Sequence, residues 1–166
     1  MRVHDDHLYH GSALIQIAEH EQFTAINALK VSGKTVRVAY KVNDDIAVYL
    51  KYASKPIGKA AEYVFTFTTD HRAELAKIVA ASPKTYLALV CVKDREICCV
   101  PYSTLMELAE RRDRALGHKE EALSVLVTVP AGKGMRIYVN APGTKGKTLG
   151  KEVIVARSAF PSIVFE

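Results

Sequence analysis

Two groups of residues in this chain have types and spacings that can do chemistry. The first is N-terminal: His4, Asp5, Asp6, His7 and His10. Histidines three apart share a face when a segment is helical, and imidazoles beside carboxylates are transition-metal ligands. The segment precedes the first helix-capping signal, so a solvated, flexible end over residues 1–10 is the competing expectation. His10, next to Gly11, is a candidate general base or phosphate contact. The second group is C-terminal. Between Ala122 and Lys151 there is no Asp or Glu, while Lys133, Arg136, Lys145, Lys147 and Lys151 are basic. That stretch accounts for the whole net charge of +5, because the remaining 18 basic residues are balanced by 18 acidic ones. Such segregation suits a polyanionic partner, with lysines on phosphates and Tyr138 placed to stack on a base. The run Lys145-Gly146-Lys147-Thr148 is not a nucleotide-binding P-loop: Ala141 stands where the first glycine is required, and a strand-like segment follows.

Other local signals are weaker. His71 and Arg72 open a helix, where backbone N–H groups favour anions. Arg111, Arg112 and Arg114 end another helix and complement its dipole. Cys91, Cys98 and Cys99 lie in apolar, strand-like sequence, where thiols pack as small hydrophobes, and no second cysteine pair offers zinc spacing. With 166 residues, a hydrophobic fraction of 49% and a charged fraction of 25%, the chain reads as one globular domain. No apolar run approaches the roughly 20 residues of a membrane span, and the polar start does not resemble a secretion signal. The expectation is a cytoplasmic protein with no membrane partner.

The elements that must position these residues read as α+β. Ser12 caps a first helix with Leu14, Ile15, Ile17 and Ala18 on its apolar face. The run Phe23 to Leu29 fits either helix or strand. Thr35 to Val42 alternates, with Val36, Val38, Tyr40 and Val42 on one face. After the turn at Asn43-Asp44, Asp45 to Tyr52 returns as its hairpin partner. Glu62 to Thr68 forms the third strand of an antiparallel meander. A helix over 71–81 with Asp70 as cap follows, then a central strand, Thr85 to Val92, apolar enough to be buried on both faces. Glu96 to Tyr102 is a further strand, and Ser103 caps a third helix that Gly117 ends. Residues 12–116 thus form an α/β core. Residues 122–166 form a strand-rich basic extension packed on it: strands near 123–129, 135–140 and 153–156, a glycine-bearing, mobile loop 141–150, and an apolar end, Phe160 to Phe165, that docks on the body.

The order helix, meander, helix, central strand resembles the core of the PD-(D/E)XK nuclease-like fold over roughly Ser12 to Val92. Through Tyr9-His-Gly11, Tyr49-Leu-Lys-Tyr52, Phe65-Thr-Phe67, Leu89-Val-Cys91 and Phe160-Pro161 the chain also resembles a group of small uncharacterised prokaryotic proteins. The nuclease resemblance implies an acidic residue on the second strand, then Glu or Asp and a Lys two apart on the third, holding Mg²⁺ and activating water. Asp45 fits the first position and Glu62 opens the third strand, but Val64 stands where the lysine belongs, leaving Lys51 as a migrated amine. Asp45 and Lys51 share strand parity, yet an unbent strand would hold them about 20 Å apart.

Three functions follow as expectations. The first is a nucleic-acid-binding domain on a nuclease-like scaffold, an accessory or recognition part of a DNA-processing or defence system. It would use Lys133, Arg136, Tyr138, Lys145, Lys147 and Lys151 and need no cofactor. The second is an active Mg²⁺-dependent endonuclease with Asp45, Glu62 and Lys51, in which Asp45 and Glu62 hold the metal and His10 assists. The third is a protein-interaction or self-assembling module, a homo-oligomer built on exposed tyrosines and the strand-rich C-terminal part.

Overall fold

The computed structural model describes all residues, Met1 to Glu166. Helix α1 (Asp5–Ala18) precedes β1 (Ile26–Val31), β2 (Lys34–Val42), β3 (Ile46–Ala53) and β4 (Tyr63–Thr68). Then come α2 (Thr69–Ala81), β5 (Lys84–Cys91), β6 (Glu96–Pro101), α3 (Tyr102–Leu116), β7 (Ala122–Thr128), β8 (Met135–Tyr138), β9 (Val153–Val155) and a terminal 3-10 turn (Ser162–Phe165). The class is α+β, as expected.

The strands divide between two sheets. A five-stranded sheet has the order β1-β2-β3-β5-β6, and a four-stranded one the order β4-β7-β8-β9. In the first, β1, β2 and β3 form the antiparallel meander, β5 lies parallel to β3, and β6 is antiparallel to β5. The meander is therefore not the one expected. Its first strand is β1, in the ambiguous run after Phe23. The segment Glu62–Thr68 contributes β4, which pairs with β7 in the other sheet. Alternating aromatic and β-branched residues make β4 a strand under either arrangement, and the alternation carries no information on its partner.

Strand β5 is central. Leu87, Leu89 and Cys91 pack into a large core with α2, α3 and the second sheet, while Ala88 and Val90 pack into a smaller core under α1. Burial on both faces is what its continuous apolar sequence demands. The smaller core is closed by Ala13 and Ile17 of α1 and by Phe160 and Val164, so the apolar C-terminus docks as anticipated. All three cysteines are buried.

Local chemistry explains the boundaries. Ser32 and Gly33 both have positive φ, as a two-residue hairpin turn between β1 and β2 requires. Asn43, at φ 53°, closes the β2–β3 turn, and its amide oxygen accepts from the Thr24 backbone N–H at 2.8 Å and the Thr24 hydroxyl at 2.9 Å. Helix α2 starts earlier than expected because Thr68 is the cap, its hydroxyl accepting from the His71 N–H at 3.2 Å. Helix α1 also starts early. The His4 N–H donates to the His7 Nδ1 at 3.1 Å and the His7 N–H to the Asp6 carboxylate at 3.0 Å, and the expected flexible end from residue 5 to 10 is helical. No helix is long and apolar enough to cross a membrane.

Candidate functional site

The first sheet opens between β2 and β3. Pairing between β2 and β3 runs from Val42–Ile46 to Ala39–Tyr49 and stops there. Beyond that point the start of β2 stays with β1, through Thr35 and Lys34, and the end of β3 stays with β5, from Leu50 to Ala53. The cause lies in β2 itself. Val36 and Val38 pack in the larger core, whereas Tyr40 and Val42, of the same parity, pack in the smaller one. The strand therefore rolls over between Val38 and Tyr40, and the four residues do not share one face as the alternation suggested. A register shift between Ala28 and Lys30 accompanies the roll.

Lys51 stands at this opening. Its side chain is half-buried, its ammonium lies 5.0 Å from the Phe67 ring centroid, and it belongs to none of the molecule's ion pairs. Burial pushes its pKa below the ordinary 10.5. Across the sheet, His10 is 8% exposed and its ring meets Tyr52 edge-on at 5.6 Å. The His10 Nε2 is buried with no hydrogen-bond partner. Burial holds this histidine below its usual pKa, and Lys51 adds to the effect while Asp6 opposes it. On the α2 side, His71 is lowered by burial and then by Lys51, but its Nδ1 is occupied, accepting from the Thr68 N–H at 3.2 Å. Glu74, one turn further on, adds to burial in pushing the Tyr49 hydroxyl up. Sequence reading missed Glu74 and Tyr49, because their proximity depends on how α2 crosses the sheet.

Open clefts flank the start of β2. Asp70, Glu74 and Lys77 of α2 face Lys34 and Val36 across one of about 440 Å³. His4, Asp6 and His7 of α1 face Arg37 and Tyr40 across the other, of about 620 Å³. No group of three His, Cys, Asp or Glu side chains is gathered to hold a metal ion. In particular, the N-terminal histidines and aspartates do not form such a group.

The expected Mg²⁺ triad is not assembled. Asp45 lies in the β2–β3 turn, mostly exposed, 3.4 Å from Lys84. Lys51 is on the far end of the same strand. Glu62 precedes β4, is bridged to Ile57, and accepts a hydrogen bond from the Tyr138 hydroxyl. The reason is the sheet assignment: Glu62 leads into the second sheet, so it cannot sit beside Asp45 on the meander.

The basic residues are likewise split. Lys133 lies in the β7–β8 turn, while Lys145, Lys147 and Lys151 lie beyond the other end of β8. The four residues of β8 separate the two ends, about 13 Å. Arg136 is ion-paired to Glu152 at 3.7 Å, the carboxylate immediately after the acid-free stretch. Tyr138 is 5% exposed, with its hydroxyl committed to Glu62, so its ring is closed to base stacking. The loop bearing Lys145 and Lys147 is held by bonds from Ala141 N–H to the Lys147 carbonyl at 2.7 Å and from Leu149 N–H to the Val139 carbonyl at 2.8 Å. Helix α3 braces it: Arg111 donates to the Lys151 carbonyl at 2.8 Å and Arg112 to the Asn140 carbonyl at 2.7 Å. Arg111, Arg112 and Arg114 are each paired with a glutamate, Glu107, Glu120 and Glu110. The exposed, unpaired cations at this end are thus Lys145, Lys147 and Lys151.

Comparisons with protein-family models, curated proteins and solved structures give no match to this chain.

Proposed function

We propose that this domain binds nucleic acid without hydrolysing it, on a nuclease-like scaffold. The observation that carries the reading is Lys51: a half-buried amine at the opening between β2 and β3 that belongs to no ion pair, in a molecule with no group of three metal-ligating side chains. An uncompensated ammonium is costly to keep partly out of water, so its retention favours a role with an anion.

The element order supports the scaffold. A helix, a three-stranded meander, a crossover carrying β4 and α2, and a parallel central strand follow one another, an order similar to that of the nuclease-like core apart from β4. With β3 as the third strand, the acid-x-lysine spacing falls on Tyr49-Leu50-Lys51. On this reading Lys51 takes the part of the motif's lysine and a buried tyrosine, Tyr49, stands for the acid. A lysine that neutralises a phosphate survives this change, while Mg²⁺, which needs hard oxygen ligands, loses its carboxylates. Lys145, Lys147 and Lys151 add backbone contacts that position a strand without reading its sequence.

Fluorescence anisotropy with labelled single-stranded and duplex DNA and RNA tests the proposal. Binding should weaken steeply with salt, and Lys145→Ala with Lys147→Ala should flatten the single-strand salt slope by about 1.4. Absence of binding at low salt would end the reading. Cleavage in Mg²⁺ or Mn²⁺ would replace it with a hydrolytic one.

A further inference from the structure

We propose that the opening between β2 and β3 is a receptor for one phosphate group, held by the Lys51 ammonium and the His10 imidazole from the two faces of the sheet. This rests on the nucleic-acid reading for the source of the phosphate, but the shared chemistry is any phosphoryl oxyanion.

Three observations carry it. The sheet is unpaired where the site lies, since β2 and β3 share no bridge beyond Ala39–Tyr49. An anion can thus meet groups from both faces, which a closed ladder would prevent. His10 presents a buried Nε2 with no partner, in a residue 8% exposed. Buried polar nitrogens are nearly always bonded, so this one is an incomplete site rather than a satisfied core histidine. Lys51 is in no ion pair, and its strand neighbour Tyr52 meets the His10 ring edge-on at 5.6 Å, which brings the histidine to the same open edge of β3. An oxyanion between a half-buried ammonium and a buried imidazole stabilises both, each gaining a charge-assisted hydrogen bond.

Proton uptake follows from this arrangement. His10 is surrounded by Asp6 on its own helix, Lys51 and Tyr52 of β3, and Tyr9 against Tyr52. Arg37 of β2 shares the adjoining cleft with Asp6, His4 and His7. Asp6 is the one acid among them, and its effect is outweighed, leaving the imidazole below its ordinary 6.5. A bound phosphate supplies the missing negative charge, so the imidazole protonates and affinity rises as pH falls. At His71 the Nδ1 serves the α2 cap, which leaves Nε2 as that ring's remaining nitrogen.

The test is a pH titration of the histidine ring protons by NMR on the full chain, in inorganic phosphate and in chloride at matched ionic strength. Phosphate should move the His10 midpoint upward by about one unit, a tenfold coupling between proton and anion, and leave His20 and His118 where they were. Lys51→Met should abolish the shift. Lys51→Arg, which keeps the charge and guards against misfolding, should retain it. A 5′-phosphorylated oligonucleotide and its dephosphorylated twin then separate a terminal phosphate from an internal one. If His10 is unmoved by saturating phosphate while oligonucleotide still binds, this site is wrong and the nucleic-acid reading stands on the other lysines. If His10 responds to phosphate and no oligonucleotide binds, the site stands and the polynucleotide reading fails.

Discussion

Lys51→Met should make the protein more stable. The ammonium is half-buried, pairs with no carboxylate and stands 5.0 Å from the centroid of Phe67. Losing the cation–π contact costs about 1 kcal/mol, and a thioether over the same ring returns a similar amount. What is left is relief of desolvation, about 1 kcal/mol for a polar group without a partner, so the net is stabilising by roughly that much. In a chain of this length 1 kcal/mol raises the Tm by about 2–4 °C. Lys51→Ala removes the methylene stem as well, and two or three half-buried methylenes at about 0.8 kcal/mol each turn the sign to destabilising. The pH dependence has a fixed direction. Burial lowers the folded-state pKa below 10.5, so the unfolded chain holds the proton more tightly and wild-type stability rises with pH up to about 10.5. The advantage of Lys51→Met should therefore shrink as pH is raised through that window. Urea denaturation of wild type and both variants at pH 7 and pH 10 measures all of this. A methionine variant less stable than wild type, or an advantage growing with pH, would show that Lys51 has a stabilising partner and would remove the main support for an anion role.

Three other perturbations separate structural residues from functional ones. Tyr138→Phe leaves the Glu62 carboxylate without its hydroxyl donor and should cost about 1–2 kcal/mol in chemical denaturation, with nucleic-acid affinity unchanged because the ring is buried. Asp113→Asn weakens the two-point contact with Arg72, at 2.7 and 3.2 Å, and should cost about 2 kcal/mol at neutral pH. Arg72 holds the Asp113 carboxyl below 3.8, so in wild type that contribution is present above pH 3.8 and is lost as pH falls through the lower folded value; a pH series of melting curves should show the asparagine variant losing less in acid. Asp45→Ala breaks an exposed pair with Lys84 and should shift stability by less than about 0.5 kcal/mol, with no effect on binding; a large loss of either would return Asp45 to a functional role.

Much of the fold was legible because alternation and turn chemistry are local. The β2–β3 hairpin with its Asn43 turn, the doubly buried β5, the Gly117 end of α3 and the docked Phe160 segment all follow from short-range sequence. Partner choice did not follow. The alternation in Tyr63–Thr68 is identical whether the strand joins the meander or pairs with β7. The roll in β2 is invisible in Val36, Val38, Tyr40 and Val42, since all four are apolar and only the packing tells the faces apart. For the site, Lys51 and His10 could be named from sequence, but their relation depends on that roll. The cationic stretch was real in composition and divided in space, because β8 separates Lys133 from the loop and Glu152 follows the stretch to neutralise Arg136.

The central claim is binding to nucleic acid without metal-dependent hydrolysis, and one titration meets it most directly. A labelled single-stranded oligonucleotide is titrated with protein over 50–200 mM salt, in excess Mg²⁺ and again in EDTA, and the oligonucleotide is then run on a denaturing gel. With Lys51, Lys145, Lys147 and Lys151 as the phosphate contacts, log K should fall against log salt with a slope near −3, about a 50-fold loss over that range. The account predicts that slope in EDTA and an intact strand in both conditions. A flat salt dependence in EDTA, or a strand cut in Mg²⁺ and spared in EDTA, would contradict it.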